Sequence, residues 1–221
     1  MAAETVRITG GSGISGALFA LVDADGSGSH AHLKRLTAPH AGLRDVADAL
    51  HIACMLHGRH PGIIDHAITH TPVEGAAEWL ADASAAFARE RQRLAALVAA
   101  AGPLPSTPGQ AESEAAVSAQ RHALDTLGQS DRLGCAFGAA VALMLDWHAI
   151  RAILDSAADR LGLYADPARL PPPFETAVAL DALATAPGIE RATMFGAQQL
   201  LAQQRGLWDL LEARAEARAA V

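Results

Sequence analysis

Apolar residues recur at spacings of three and four along most of the chain, the period of a helix that buries one face. Leu43, Val46, Leu50, Cys54 and His57 keep this spacing and stop at His60-Pro61-Gly62, which predicts one helix. A shorter helix is expected from 61 to about 70, because proline is tolerated in a first turn. From 72 to about 101 the stripe is Val73, Leu80, Phe87 and Leu94, with Ala76, Ala83 and Leu97 beside it, and Gly102-Pro103 ends it. Three more helices are expected: 108 to about 127, closed by Gly128; from a cap at Ser130 or Asp131 to near 162; and 189 to 217. A short helix fits 174–184, after the linker LYADPARLPPP, which is not helical at its prolines. Thr71-Pro72-Val73-Glu74 and Thr107-Pro108-Gly109-Gln110 both read as capping boxes, with a hydroxyl cap and an acid or amide three residues on.

Long helices with short or proline-marked connections predict an all-α fold, a helical bundle of four to five main helices with short accessory helices. Residues 41–221 form the expected bundle domain. Residues 1–40 form an N-terminal accessory segment, partly irregular, that fits short helices laid over the bundle, a hairpin around DADGSGS, or a mobile stretch.

Composition adds constraints. A chain of 221 residues can bury a sizeable core with neither disulfide nor structural metal. The net charge of -7 leaves no basic surplus for a phosphate backbone, so nucleic acid is not an expected partner. Of the basic residues only Lys34 is a lysine; with so much alanine this reflects a GC-rich coding bias, and alanine therefore counts weakly as helix evidence. Cys54 and Cys135 sit in apolar runs with no CxxC spacing, as packed thiols do in a reducing compartment. The early apolar stretch ALFALV ends at Asp23, too short for a signal peptide, and the apolar run 133–145 is too short to span a bilayer. A cytoplasmic protein without membrane contact is expected.

The segment VRITGGSGISGALFALVDADGSGSH invites a nucleotide-binding reading, since Thr9-Gly10, Gly13 and Gly16 match a dinucleotide turn. The context argues against it: Asp23 comes seven residues after Gly16 instead of about twenty, and no second strand follows. The likeness to short-chain reductases fails too, because Tyr164 has Ala168 where their lysine belongs. Asp23, Asp25, Ser27 and Gly28 imitate an EF-hand opening, but Lys34 occupies the position that needs a bidentate glutamate, so a solvated turn is expected.

Polar residues on the inward stripes carry the candidate chemistry. Glu90 falls between Phe87 and Leu94; Arg151 falls among Phe137, Ala140, Met144, Trp147 and Leu154, a stripe opened by Leu133, with His148 at its edge. His57 shares a face with Leu43 and Leu50, and Gln199, Gln203 and Gln204 lie on or beside the stripe of Ile189, Gly196, Leu200, Leu207 and Leu211. Buried charges must meet one another, water or a ligand. The first expectation is a structural network such as Glu90 with Arg151; the second is a ligand cavity in the bundle, lined by Glu90, Arg151, His57, His148, Gln199 and Gln203. Asp146 lies on a face of Cys135, Ala139, Ala142 and Ile153, where desolvation would hold its proton to higher pH.

Histidines cluster at 51, 57, 60, 66 and 70. His66 and His70 lie one turn apart, and Asp48-x-x-His51 has the carboxylate-x-x-His spacing of di-iron bundles, but that chemistry needs two such motifs and only one is present, so no metal is expected. Arg59 and His60 are expected to bond helix-end carbonyls. Gly134-x-x-x-Gly138 lets another backbone come close, by internal packing or at a homodimer seam, and Glu212, Arg214, Glu216 and Arg218 read as a solvated surface.

Three stretches, LHGRHPGIIDHA at 56–67, DRLGCAFGAAVALMLDWHAI at 131–150 and FGAQQLLAQQRGLWDLLEAR at 195–214, together resemble a group of all-helical bacterial proteins with no assigned activity. The resemblance covers most of the chain; it implies a helical fold and supplies no catalytic residues. The expected role is non-catalytic, interaction or structure, in a homo-oligomer with no cofactor. The alternative is a small-ligand-binding protein or a ferritin-like, metal-dependent oxidative enzyme using the polar cavity, with Glu90 or a histidine as base and Arg151 holding an anionic substrate.

Overall fold

A computed structural model describes residues 13–71, 73–164 and 166–220. Among them the chain is all-α, and no strand occurs. Two short helices come first, α1 (Ile14–Asp25) and α2 (Ala31–Leu36), joined by a 3-10 turn at Ser27–Ser29. Then follow α3 (Leu43–His57), α4 (Ile63–His70), α5 (Glu74–Ala101), α6 (Gln110–Gly128), α7 (Cys135–Arg160), α8 (Pro173–Leu183) and α9 (Pro187–Ala219). Within the described residues 13–40 the chain thus supplies short helices over the bundle and no hairpin. Thr9 and Gly10 of the glycine-rich motif lie outside the described residues; Gly16 is inside α1.

The core is continuous. Ile14 and Leu18 of α1, Leu33 and Leu36 of α2, and Leu180 and Leu183 of α8 belong to the same buried cluster as the long helices. At its centre is α7, whose small and aliphatic residues from Cys135 to Met144 are all buried, because neighbours cover it on every side. By length and composition α7 is apolar enough to cross a membrane; here 78% of that apolar window is buried by the rest of the chain.

α7 and α9 pack along much of their length, and glycine permits the closeness. A Cβ on Gly138 would lie 1.9 Å from the Thr193 carbonyl oxygen, and one on Gly196 would lie 1.9 Å from the Cys135 carbonyl oxygen. The Gly134-x-x-x-Gly138 spacing therefore serves internal packing. Gly134 also starts α7 at φ 97°, a conformation in which a side chain would be strained.

Several helix ends depart from expectation. Neither threonine caps a helix: α5 starts after Val73 and α6 after Gly109, with no side-chain cap at either. Thr107 instead donates its hydroxyl to the Pro105 carbonyl and accepts from arginines of α9. α4 begins at Ile63, not Pro61, and Asp65 accepts from the Gly62 N–H at 2.8 Å. His60 meets that same carboxylate at 3.0 Å instead of a carbonyl. Pro173 sits in the first turn of α8, where its missing N–H costs nothing. Leu43 is exposed at the start of α3. Cys54, half-buried, and Cys135, buried, are both free thiols.

Candidate functional site

α5 turns Glu90 inward one turn beyond Phe87, and α7 offers Trp147 and Arg151 one turn apart on the face that meets it. Glu90 Oε1 lies 2.5 Å from Arg151 Nη1, and Oε2 accepts from Trp147 Nε1 at 3.0 Å. Arg151 Nε donates to Asp155 at 2.8 Å and Nη2 to the Asp166 carbonyl, while Arg93 also donates to Asp155 at 2.7 Å. Both oxygens of the buried carboxylate and three nitrogens of the guanidinium are thus engaged. A cavity of about 540 Å³ opens beside this pair, lined also by Arg89, Arg93, Tyr164 and Arg169.

His57, in the last turn of α3, belongs to a different place. Its Nε2 lies 3.0 Å from Gln204 Oε1, and its ring meets the edge of Trp147 with centroids 5.5 Å apart. Burial drives its pKa down to about 4 against the opposing Gln204 hydrogen bond, with the nearby Arg91 charge adding to the fall, so the ring is neutral at pH 7. It lines a second cavity of about 340 Å³ with Arg91, Arg121, His66 and Asp125.

The structure therefore joins Glu90 to Arg151 and places His57 in another cavity. The other candidates do not gather there. His148 is exposed, one residue round the helix from Trp147; Gln199 is exposed; Gln203 is half-buried and offers its carbonyl to Gln120 Nε2 at 3.3 Å. None of the three lines either cavity. Close packing on α7 fixes the rotation of α9 with Leu200 and Leu207 inward, and the amide between them on that stripe is Gln204.

Two further polar clusters lie outside both of these cavities. Asp48 of α3, wholly buried, is held by Arg214 and Arg218 of α9, with Arg218 Nη1 at 2.5 Å from Oδ2. Arg218 also bonds Asp45 at 2.6 Å, and Thr107 and Gln110 accept from Arg214 at 3.3 and 3.0 Å. The solvated surface expected of Arg214 and Arg218 is in fact an interior clamp, and Asp48 is committed to it, while His51 meets the Gly102 carbonyl at 2.9 Å. Alternating charges at the end of α9 masked this, since partner and arginine are 166 residues apart.

Asp146 of α7 is buried and accepts from the Ser27 N–H at 2.6 Å and its hydroxyl at 2.5 Å; Trp208 Nε1 donates to that hydroxyl at 2.7 Å. Burial raises the pKa of Asp146 to about 6 despite both Ser27 bonds. The turn holding Ser27 is therefore a buried latch instead of a solvated loop. Among the described residues, one group of three metal-type side chains, His30, Asp209 and Glu212, has ligand atoms within 4.8 Å of one another, and Arg35 already bonds Glu212 there.

Residues 22–219 match the model of a family of unknown function, DUF6975, and the chain belongs to that family. No curated protein and no solved structure matches it.

Proposed function

We propose that this member of the family acts without catalysis, through interaction, in the cytoplasm and as a homo-oligomer. The observation that carries this reading is the state of Glu90: each of its oxygens already accepts from a side chain of the chain itself, Arg151 and Trp147, so the buried carboxylate has internal partners and is held as part of a structural network. Asp48 and Asp146 are likewise taken up by donors of the chain itself. A ferritin-type oxidative centre needs carboxylates facing one another with histidines between them, whereas Glu90 faces a guanidinium. Phe174 and Val178, one turn apart on α8 and 77% and 53% exposed, supply apolar surface that an assembly of copies would cover.

The test combines light scattering across a range of concentrations with metal analysis and an absorption spectrum of protein purified without added metal. A colourless multimer without stoichiometric metal supports the reading. A monomer at all concentrations overturns the homo-oligomer, and stoichiometric iron or a visible chromophore overturns the non-catalytic role.

A further inference from the structure

The cavity at His57 brings together two arginines, Arg91 and Arg121, whose donors the chain does not all use. Arg91 of α5 gives Nη2 to Asp65 at 2.6 Å and lies over the Phe87 ring at 5.0 Å, yet its Nε is buried with no hydrogen-bond partner among the described residues. Arg121 of α6 is half-buried on the opposite wall and forms no ion pair among the described residues, although Asp125 lines the same cavity one turn on. A buried guanidinium N–H without an acceptor is costly, and a planar two-oxygen anion matches the fork of an arginine.

Among the polar residues of the wall, Leu56, Phe87, Leu124 and Leu143 supply apolar patches. The cations Arg59, Arg91 and Arg121 stand against Asp125 and the Asp65 that bonds Arg91, which leaves a surplus of one positive charge. About 340 Å³ is at the small end for ligand pockets, and a dry cavity of about 150 Å³ already accepts a benzene ring. The net charge and volume suit a small anion, and Phe87 with the leucines offers contact to an apolar body on it.

We propose that the cavity between the end of α3, the start of α4 and the facing sides of α5 and α6 binds a small organic monoanion, a carboxylate with an apolar body of about one ring, gripped by Arg121 and Arg91. The site is separate from the Glu90 pair and stands whether or not the chain oligomerises.

Titration calorimetry on the full chain tests it with benzoate and hexanoate as probes, benzamide as the uncharged control and inorganic phosphate as the anion without an apolar body. Benzoate or hexanoate should bind saturably at millimolar concentration or below, and Arg121→Gln should weaken that binding by about tenfold or more. Arg89→Gln, at the other cavity, should leave it unchanged. Arg121→Lys keeps the charge without the planar fork and serves if the glutamine variant does not fold; it too should bind more weakly. Failure of both carboxylates to bind overturns the proposal. So does benzamide binding as well as benzoate, which would mean an apolar cleft, or phosphate binding as well, which would mean an inorganic-anion site. Binding indifferent to Arg121 also sinks it.

Discussion

Arg214 grips Asp48 with two nitrogens, Nε at 3.0 Å from Oδ2 and Nη2 at 2.7 Å from Oδ1, where neither side chain is more than 2% exposed. This pair ties the last third of α9 to the middle of α3, across almost the whole sequence. A buried ion left without its partner is expensive, even where the intact pair adds little over a well-packed apolar substitute. Arg214→Met is therefore expected to lower stability by about 3 kcal/mol, toward the smaller side of the usual range because Arg218 still holds Asp48. The double variant Asp48→Leu with Arg214→Met should recover part of that loss. Urea unfolding of the three proteins measures both effects; an R214M chain as stable as the wild type would show that Arg218 alone suffices.

His57 and Asp146 make opposite demands on pH. The folded chain holds His57 near 4, below its ordinary 6.5, so the unfolded chain binds that proton first and stability is lost as pH falls from 6.5 to 4. It holds Asp146 near 6, above the ordinary 3.8, so the folded chain binds that proton first and stability is lost as pH rises from 3.8 to 6. Each contribution is about 3 kcal/mol, and the windows overlap. Wild-type stability from these two groups should therefore be nearly level between pH 4 and 6.5. Asp146→Asn should fall in stability with acid over that window, and His57→Leu should rise, as thermal melts at half-unit pH steps would show.

Below pH 4 a third group takes over. Burial alone would raise Asp65, but the Gly62 N–H, His60 and Arg91 together hold it at about 2. Its contribution is present above 3.8 and disappears as pH falls to 2. Asp65→Asn should flatten the acid limb of the stability curve while lowering stability at pH 7, which acid titration followed by circular dichroism can read.

Gly138 and Gly196 sit where α7 and α9 come closest. Gly138→Ala would drive a methyl to 1.9 Å from a carbonyl oxygen, and the obstacle is backbone, which cannot turn aside as a side chain can. Loss of more than about 3 kcal/mol is expected, the range of overpacked cores or worse. Gly188→Ala, with nothing within 4 Å of its new carbon, is the matched control. Comparable melting temperatures for the two variants would refute the close contact.

Glu90→Gln keeps the shape of the side chain and removes its charge. Trp147 can still donate to the amide oxygen, but Arg151 loses its buried counter-ion and keeps only Asp155 and the Asp166 carbonyl. A loss of about 3 kcal/mol is expected at pH 7. Stability that stays level or rises would indicate that the carboxylate is held under strain for a ligand.

Much of this architecture is legible in the sequence. The spacing of Leu80, Phe87 and Leu94 phases α5 correctly, and the same wheel puts Glu90 with Arg151 because both lie within apolar stripes that have no other place to go. Asp146 was legible for the same reason. Helix starts were not: Thr71 and Thr107 have the right composition for caps, but Gly109 takes the left-handed turn into α6 and frees the Thr107 hydroxyl for Arg214 and Arg218. The arginine clamp escaped notice because a long side chain can bury its head from what looks like a charged surface, and periodicity records where Cβ points, not where a guanidinium ends. His148 and Gln199 show the same limit from the other side. A step of one residue turns the side chain by about 100°, enough to move it from the interior to solvent.

Ser27 enters the bundle at the end of α1, and Gly26 before it is packed so tightly that an added carbon would sit 2.7 Å from Asp146 Oδ1. The N-terminal helix thus acts as a stopper seated by Ile14 and Leu18. A chain shortened past α1 would lose the purchase that keeps Ser27 in place, water would reach Asp146, and its proton affinity would drop toward that of an ordinary aspartate. Trimming the protein at that end would alter its acid–base behaviour at a carboxylate more than a hundred residues away.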